Sequence, residues 1–205
     1  IPDAAVGQAS PDTFVMDRAE AASLVPDRPV HSHKGMFGRS VILAGSRGMV
    51  GAAVLGAEAA LRIGSGLTLL CVPQSVYAIA ARKVSPEIMC EPMPDKGRGS
   101  FGPESVPALR RFLARASCVL IGPGIGRNPA TIRWVSRVLR ELGGHHKIII
   151  DADALCAVAD KRLTIEGDVG LTPHAGEMAR ITGLARRRVE ADPVRIARGV
   201  AARRR

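Results

Sequence analysis

The chain has 205 residues, of which 46% are apolar and only 3% aromatic, and a formal net charge of +10. That length suits one domain with a real core, and no apolar run reaches the roughly 18 residues a membrane span needs. Eight arginines after residue 185 carry much of the charge, while the scarcity of stacking aromatics and the lack of a helix-turn-helix, zinc-finger or RNA-binding signature argue against nucleic acid.

Residues 1–34 read as a leader or linker rich in Pro, Asp, Ala and Ser. Within it, 16–25 predicts a short helix, with Asp17 as N-cap and Glu20 three residues on. Pro26 and Pro29 end that helix. His31-Ser32-His33-Lys34-Gly35 follows. Its two histidines lack a partner cluster for a metal, so a loop that packs, or that touches phosphate through Lys34, is the better reading. Residues 40–44 form an apolar run, and 45–51 a flexible glycine loop. A helix of small residues covers 52–63. Residues 67–72 read as a buried strand, and Pro73 opens a helix to about 82. A short strand is expected over 87–91, then a Gly-rich surface turn over 96–102. A helix spans 104–114, a strand 118–121, and a second glycine loop 122–126. A helix over 129–142 ends at Gly143-Gly144, where His145-His146 reads as a solvated surface pair. A strand over 147–150 leads into Asp151-Ala152-Asp153 and a short helix to 159. A strand over 168–171, a helix over 174–182 and a last helix over 189–203 complete the pattern.

Continuous apolar strands alternating with helices imply an α/β fold with a parallel sheet covered on both faces. The four cysteines are widely spaced, with no Cys-x-x-Cys pair and no His at ligand spacing. Cys71 and Cys118 fall in apolar runs that read as strands, so they are most simply buried reduced thiols, and a reducing cytoplasm is the natural compartment. The first thirty residues hold no secretory apolar core.

Four strand ends carry unusual residues: 45–51, 122–126, 151–153 and 172–177. A parallel sheet delivers all of them to one edge, where open α/β sheets bind ligands. Gly45-Ser46-Arg47-Gly48-Met49-Val50-Gly51 lets backbone donors approach an anion at a helix start. It is neither a Walker A loop nor Gly-x-Gly-x-x-Gly. Gly122-Pro123-Gly124-Ile125-Gly126 has the same character. Each loop reads equally as a tight turn under a close-packed helix. Asp151 and Asp153 could hold Mg²⁺ through water or orient a hydroxyl, or simply cap the next helix. Leu171-Thr172-Pro173-His174-Ala175-Gly176-Glu177-Met178 is either a ligand-facing corner or a plain strand-to-helix turn.

Taken in order, the motifs match a family. They are His33-Lys34-Gly35 with Gly38, Ala44-Gly45-Ser46 through Gly51-Ala52-Ala53, and Ala59 through Gly66-Leu67. Then come Gly122 to Gly126, Asp151 to Leu155, and Leu171 to Met178. The chain resembles the ADP/ATP-dependent NAD(P)H-hydrate dehydratases of the ribokinase-like superfamily over about residues 33–184. The resemblance implies a ribokinase-like domain over 35–205 and an enzyme that returns NADHX or NADPHX to NADH or NADPH. In that family ADP or ATP, with Mg²⁺, phosphorylates the added hydroxyl before phosphate leaves, a reaction run by positioning and charge neutralisation. By resemblance Ala53 (or Ala52), Gly124 and His174 contact the hydrated dinucleotide. Gly45, Gly51, Gly126, Asp151 and Glu177 bind or support the nucleotide, phosphate or metal. The family's general base is the aspartate of a Gly-Ser/Thr-Gly-Asp loop. No such loop occurs in this sequence, so the resemblance places that aspartate beyond Arg205 and implies weak or no turnover by these 205 residues. It also implies an upstream epimerase half, as in bifunctional versions, and a homo-oligomer is a further expectation. Another ribokinase-like kinase, or a chain that binds nucleotide or a partner without catalysis, is the alternative.

Overall fold

The computed structural model describes residues 14–159, 163 and 165–202. The chain divides into two units, Ile1–Ser32 and His33–Arg205. In the first, α1 (Arg18–Ser23) carries the expected capping box: Asp17 accepts from the Glu20 N–H at 2.8 Å, and Glu20 from the Asp17 N–H at 2.9 Å. No residue of α1 is buried, so capping rather than packing defines it.

The second unit is built on six parallel strands: β1 (Arg39–Leu43), β2 (Leu67–Pro73), β3 (Met89–Met93), β4 (Cys118–Ile121), β5 (Lys147–Ile150) and β6 (Asp168–Leu171). They lie in the order β3-β2-β1-β4-β5-β6. The chain winds outward from β1 to β3, then crosses back to β4 and winds the other way. Its switch point therefore falls between β1 and β4, where a doubly wound sheet opens a crevice at its carboxyl ends.

Alternation along the strands sends two sets of side chains to two cores. Val41, Leu43, Val119, Ile121, Ile148 and Ile150 meet α4 (Val106–Leu113) and α5 (Pro129–Glu141) through Leu109, Trp134 and Val138. Trp134 stacks on Phe101, ring centroids 4.2 Å apart. On the other face Ile42, Leu70 and Val72 meet α2 (Val50–Arg62) and α3 (Tyr77–Ala81) through Ala53, Ala57 and Ala80. Alanines bring α2 close to the sheet, and Gly56 sits where a methyl would press on Leu120. That cover does not extend to β5, where Ile149 is 40% exposed.

After β5 come α6 (Leu155–Val158) and then, beyond β6, α7 (Ala175–Thr182), α8 (Arg186–Ala191) and α9 (Pro193–Ala202). The single last helix expected over 189–203 is thus two helices. Asp192 lies between them at φ −150° and ψ 68°, because a residue before proline is pushed out of the α region. Its predicted last residue, Arg203, lies outside the described residues.

Two expectations for the histidines fail or narrow. His146 is not solvated: it is 3% exposed, and its Nε2 lies 3.0 Å from the Leu113 carbonyl. A carbonyl only accepts, so the ring donates there, while its Nδ1 lies 3.1 Å from the Gly143 N–H. His33 caps the 3₁₀ turn Lys34–Phe37, its Nδ1 accepting from Gly35 at 3.2 Å. That turn lies under the amino ends of β1 and β2, where Gly66 and Leu67 donate to Phe37 and Gly38, both at 3.1 Å. Lys34 is therefore on the edge opposite the strand-end corners, and the packing role stands in place of a phosphate contact. A methyl on Gly66 would sit 1.8 Å from the Lys34 carbonyl, which ties these two motif segments together by sterics.

Candidate functional site

The carboxyl edge carries five corners, and hydrogen bonds join them into one rim. At the switch point the two glycine loops clasp each other. Gly45 donates its N–H to the Pro123 carbonyl at 2.8 Å, and the Ser46 hydroxyl donates to the Gly124 carbonyl at 2.7 Å. Gly124 has φ +65°, and a methyl there would crowd Met49 and Ala52 at 2.9–3.0 Å. Gly122 has φ +131°, and a methyl there would lie 1.8 Å from the Asp151 carbonyl. Only glycine fits either position.

The β4 loop is then tied to the β5 corner. Asp153 accepts from the Gly126 N–H at 3.0 Å and from Arg127 Nε at 2.6 Å. Between the two aspartates, Ala152 sits at φ +48°, an uncommon conformation for a residue with a side chain. The β5 corner is joined to β6 by Thr172, whose hydroxyl donates to Asp151 Oδ1 at 2.6 Å.

Beyond Thr172, His174 is the N-cap of α7. Its Nδ1 accepts from Gly176 at 3.0 Å and from Glu177 at 3.4 Å, while Glu177 Oε2 accepts from the His174 N–H at 3.0 Å. An accepting Nδ1 places the neutral ring's proton on Nε2, and Nε2 stands 3.3 Å from Glu177 Oε1. The side chain of Glu177 is 6% exposed and that of His174 is 66% exposed. The glutamate thus holds the ring from below and leaves most of it at the rim.

The predicted site residues divide by what their atoms are free to do. Gly45 and Gly126 spend their N–H groups on loop-to-loop bonds, so they build the rim and do not offer those donors to a phosphate. Gly48 and Gly51 have open space where a side chain would stand. The start of α2 beside them has no side-chain cap, which leaves helix donors for an anion. The Ala53 methyl is fully buried against Gly45, and Ala52 borders Gly124. Both oxygens of Glu177 are engaged by His174. Among the described residues no group of three metal-ligating side chains forms.

The fifth corner follows β3 and was not singled out among the candidates. Asp95 is 2% exposed. Its carboxylate accepts from the backbone N–H groups of Gly97 at 3.0 Å, Gly99 at 2.9 Å and Ser75 at 3.3 Å. Burial alone would raise its pKa, but the Ser75 hydroxyl and these N–H groups outweigh burial and hold it below the ordinary carboxylate range. The turn it organises reaches the switch-point loop, where Arg47 donates its N–H to the Gly99 carbonyl at 2.7 Å. Asn128, at the start of α5, meets Ser100 at 3.1 Å. An Asp followed two residues on by Gly is the sequence signal for such a turn.

Comparison with known proteins bears on this rim. Residues 40–204 match the family model described as NAD(P)H-hydrate dehydratase. The bifunctional NAD(P)H-hydrate repair enzyme of Moorella thermoacetica is 37% identical over 186 residues, covering 89% of this chain and 34% of that protein. A ribokinase-like superfamily protein of Enterococcus faecalis superposes with a TM-score of 0.73 at 26% identity, covering 88% of this chain and 59% of that one. The ADP/ATP-dependent NAD(P)H-hydrate dehydratase of Bacillus subtilis, co-crystallised with ATP and Mg²⁺, superposes with a TM-score of 0.69 at 27% identity, covering 91% and 62%. The chain spans about a third of the length of the bifunctional relatives it matches. The fold is ribokinase-like.

Proposed function

Because the chain belongs to the NAD(P)H-hydrate dehydratase family, we propose that its carboxyl rim binds hydrated NADH or NADPH for ADP- or ATP-dependent dehydration. The observation that carries this is the clasp of Ser46 on Gly124 at the switch point, flanked by an uncapped helix start on one side and the exposed His174 ring on the other. The dinucleotide lies across the crevice, with phosphate near Gly48 and Gly51 and the hydrated ring near Gly124 and His174. The exposed face of the His174 ring meets the substrate, and Glu177, beside Nε2, keeps the ring in its tautomer and orientation.

Mg²⁺ would neutralise charge on the transferring phosphoryl group. Asp151 fits it: Thr172 occupies Oδ1, and a carboxylate with nucleotide phosphates and waters is an ordinary Mg²⁺ shell. Glu177, with both oxygens engaged, does not fit. Phosphoryl transfer also needs a base on the attacking hydroxyl. An upstream epimerase half belongs to the same reading.

Titration calorimetry with NADHX and NADPHX tests the proposal, alongside an assay for ADP-dependent recovery of NADH absorbance. Binding of at least one hydrate is expected. A chain that binds neither hydrate overturns the reading.

A further inference from the structure

The rim is electrically lopsided. Its β5–β6 end carries Asp151 and Glu177, with Asp153 paired to Arg127. Its β1–β3 end carries Arg47, Lys96 and Arg98. Arg98 is paired with Glu104, but Arg47 and Lys96 have no ion-pair partner among the described residues. The acid between them, Asp95, has its oxygens taken by Gly97, Gly99 and Ser75.

Arg47 is bonded to the turn that carries Lys96, beside the switch-point loop. Arg47 is part of that loop. Its N–H is bound to Gly99 and its Nη2 lies 3.4 Å from the Gly97 carbonyl. Its side chain lies against Gly99, where a methyl would meet Arg47 Cβ and Nε at 2.9 Å. Lys96, next to Gly97, is held at φ +51°, a conformation that costs energy for a lysine and persists here because the Asp95 turn over-determines it. The side chains of both cations are exposed. A turn anchored by a buried carboxylate, a strained lysine and an arginine laid across its glycines make a pre-set cationic end to the crevice.

We propose that Arg47 and Lys96 bind a phosphate group of the dinucleotide and so fix its direction in the cleft, phosphate toward β1 and β3, hydrated ring toward His174. This rests on the dehydratase reading and adds residues to it. Asp95 acts as a positioning residue through the turn. Arginine and lysine differ in how they serve such a group, one as a fork of donors and the other as a point charge. The phosphate comes either from the pyrophosphate, shared by both hydrates, or from the 2′-phosphate, present on NADPHX alone.

Calorimetric titration of the 205-residue chain and its Arg47→Ala, Lys96→Ala and Arg47→Lys variants with NADHX and NADPHX separates these. Each alanine variant is expected to weaken binding by about tenfold or more, the loss typical of a charge-assisted hydrogen bond, and Arg47→Lys is expected to recover part of it. Equal loss for both hydrates assigns the pyrophosphate, and loss confined to NADPHX assigns the 2′-phosphate. Both side chains are exposed, so the variants are expected to fold as the parent does. If the parent binds and both alanine variants bind equally well, the inference falls and the dehydratase reading stands. If the parent binds neither hydrate, both fall together.

Discussion

Ser46 and Gly124, 78 residues apart, are joined by a 2.7 Å hydrogen bond from hydroxyl to carbonyl, part-buried at the reversal of strand order. The bond locks the β1 and β4 loops against each other. Ser46 is 4% exposed, so its loss leaves the Gly124 carbonyl short of a donor where water enters poorly. Ser46→Ala is expected to lower stability by about 1–2 kcal/mol, and to speed exchange at the Gly45 amide, which bonds to the neighbouring Pro123 carbonyl. Urea unfolding and amide exchange measure both. An unchanged Gly45 exchange rate would show that the clasp holds without the hydroxyl.

Much of this rim was legible in the sequence. Strands β4, β5 and β6 have the residues expected, because short apolar runs bounded by Gly, Pro and Asp leave few other readings. The two glycine loops and the Asp151 and His174 corners were legible as candidates because a parallel sheet must deliver them to one edge. Their bonding was not. Whether Gly45 and Gly126 offer donors to a ligand or to neighbouring loops depends on partners, Pro123 and Asp153, 78 and 27 residues away. His146 was misread for the same reason, since the carbonyl its buried ring meets belongs to Leu113, a residue 33 positions away that no local pattern links to it. Asp95 carried a local turn signal, but its bond from the Ser75 N–H comes from 20 residues away, just past the neighbouring strand β2.

Gly122→Ala is expected to be the most damaging small change on the rim. The φ of +131° disfavours any side chain, and the added methyl would lie 1.8 Å from the Asp151 carbonyl. Asp151 is held from its other side by Thr172, so the corner cannot retreat without breaking that bond. A loss of about 3 kcal/mol or more is expected, with a lower thermal midpoint. A midpoint equal to the parent's would show that the β5 corner yields freely.

Separating the two roles of His174, cap and contact, takes two substitutions. Alanine removes both and is expected to cost about 1 kcal/mol of stability. Asparagine keeps a side-chain oxygen for the Gly176 and Glu177 N–H groups, so His174→Asn is expected to stay within about 0.5 kcal/mol of the parent while binding of NADHX weakens as much as in the alanine variant. If His174→Asn binds the hydrate as the parent does, the ring makes no contact and the residue is a helix cap alone.

Asp95 sets a pH dependence whose sign follows from its partners. Its folded carboxyl lies below the ordinary value because N–H groups and the Ser75 hydroxyl favour the charged form. The stabilisation is therefore fully present above the unfolded value of about 4, and it disappears as pH falls from there through the lower folded value. Asp95→Asn keeps the shape but not the charge. It is expected to be less stable than the parent by about 1–3 kcal/mol near neutral pH, with the gap narrowing once pH drops below about 4. Other carboxylates titrate in both proteins and largely cancel in the difference. Trp134 reports the unfolding directly: it is fully buried against Phe101, and the Phe101 carbonyl is held by Thr131 at 2.9 Å just past the Asp95 turn. A gap that stays constant through the acid range would mean that the Asp95 carboxylate is not what holds the turn, and the anchoring of Lys96 and Arg47 would have to come from the glycine backbone alone.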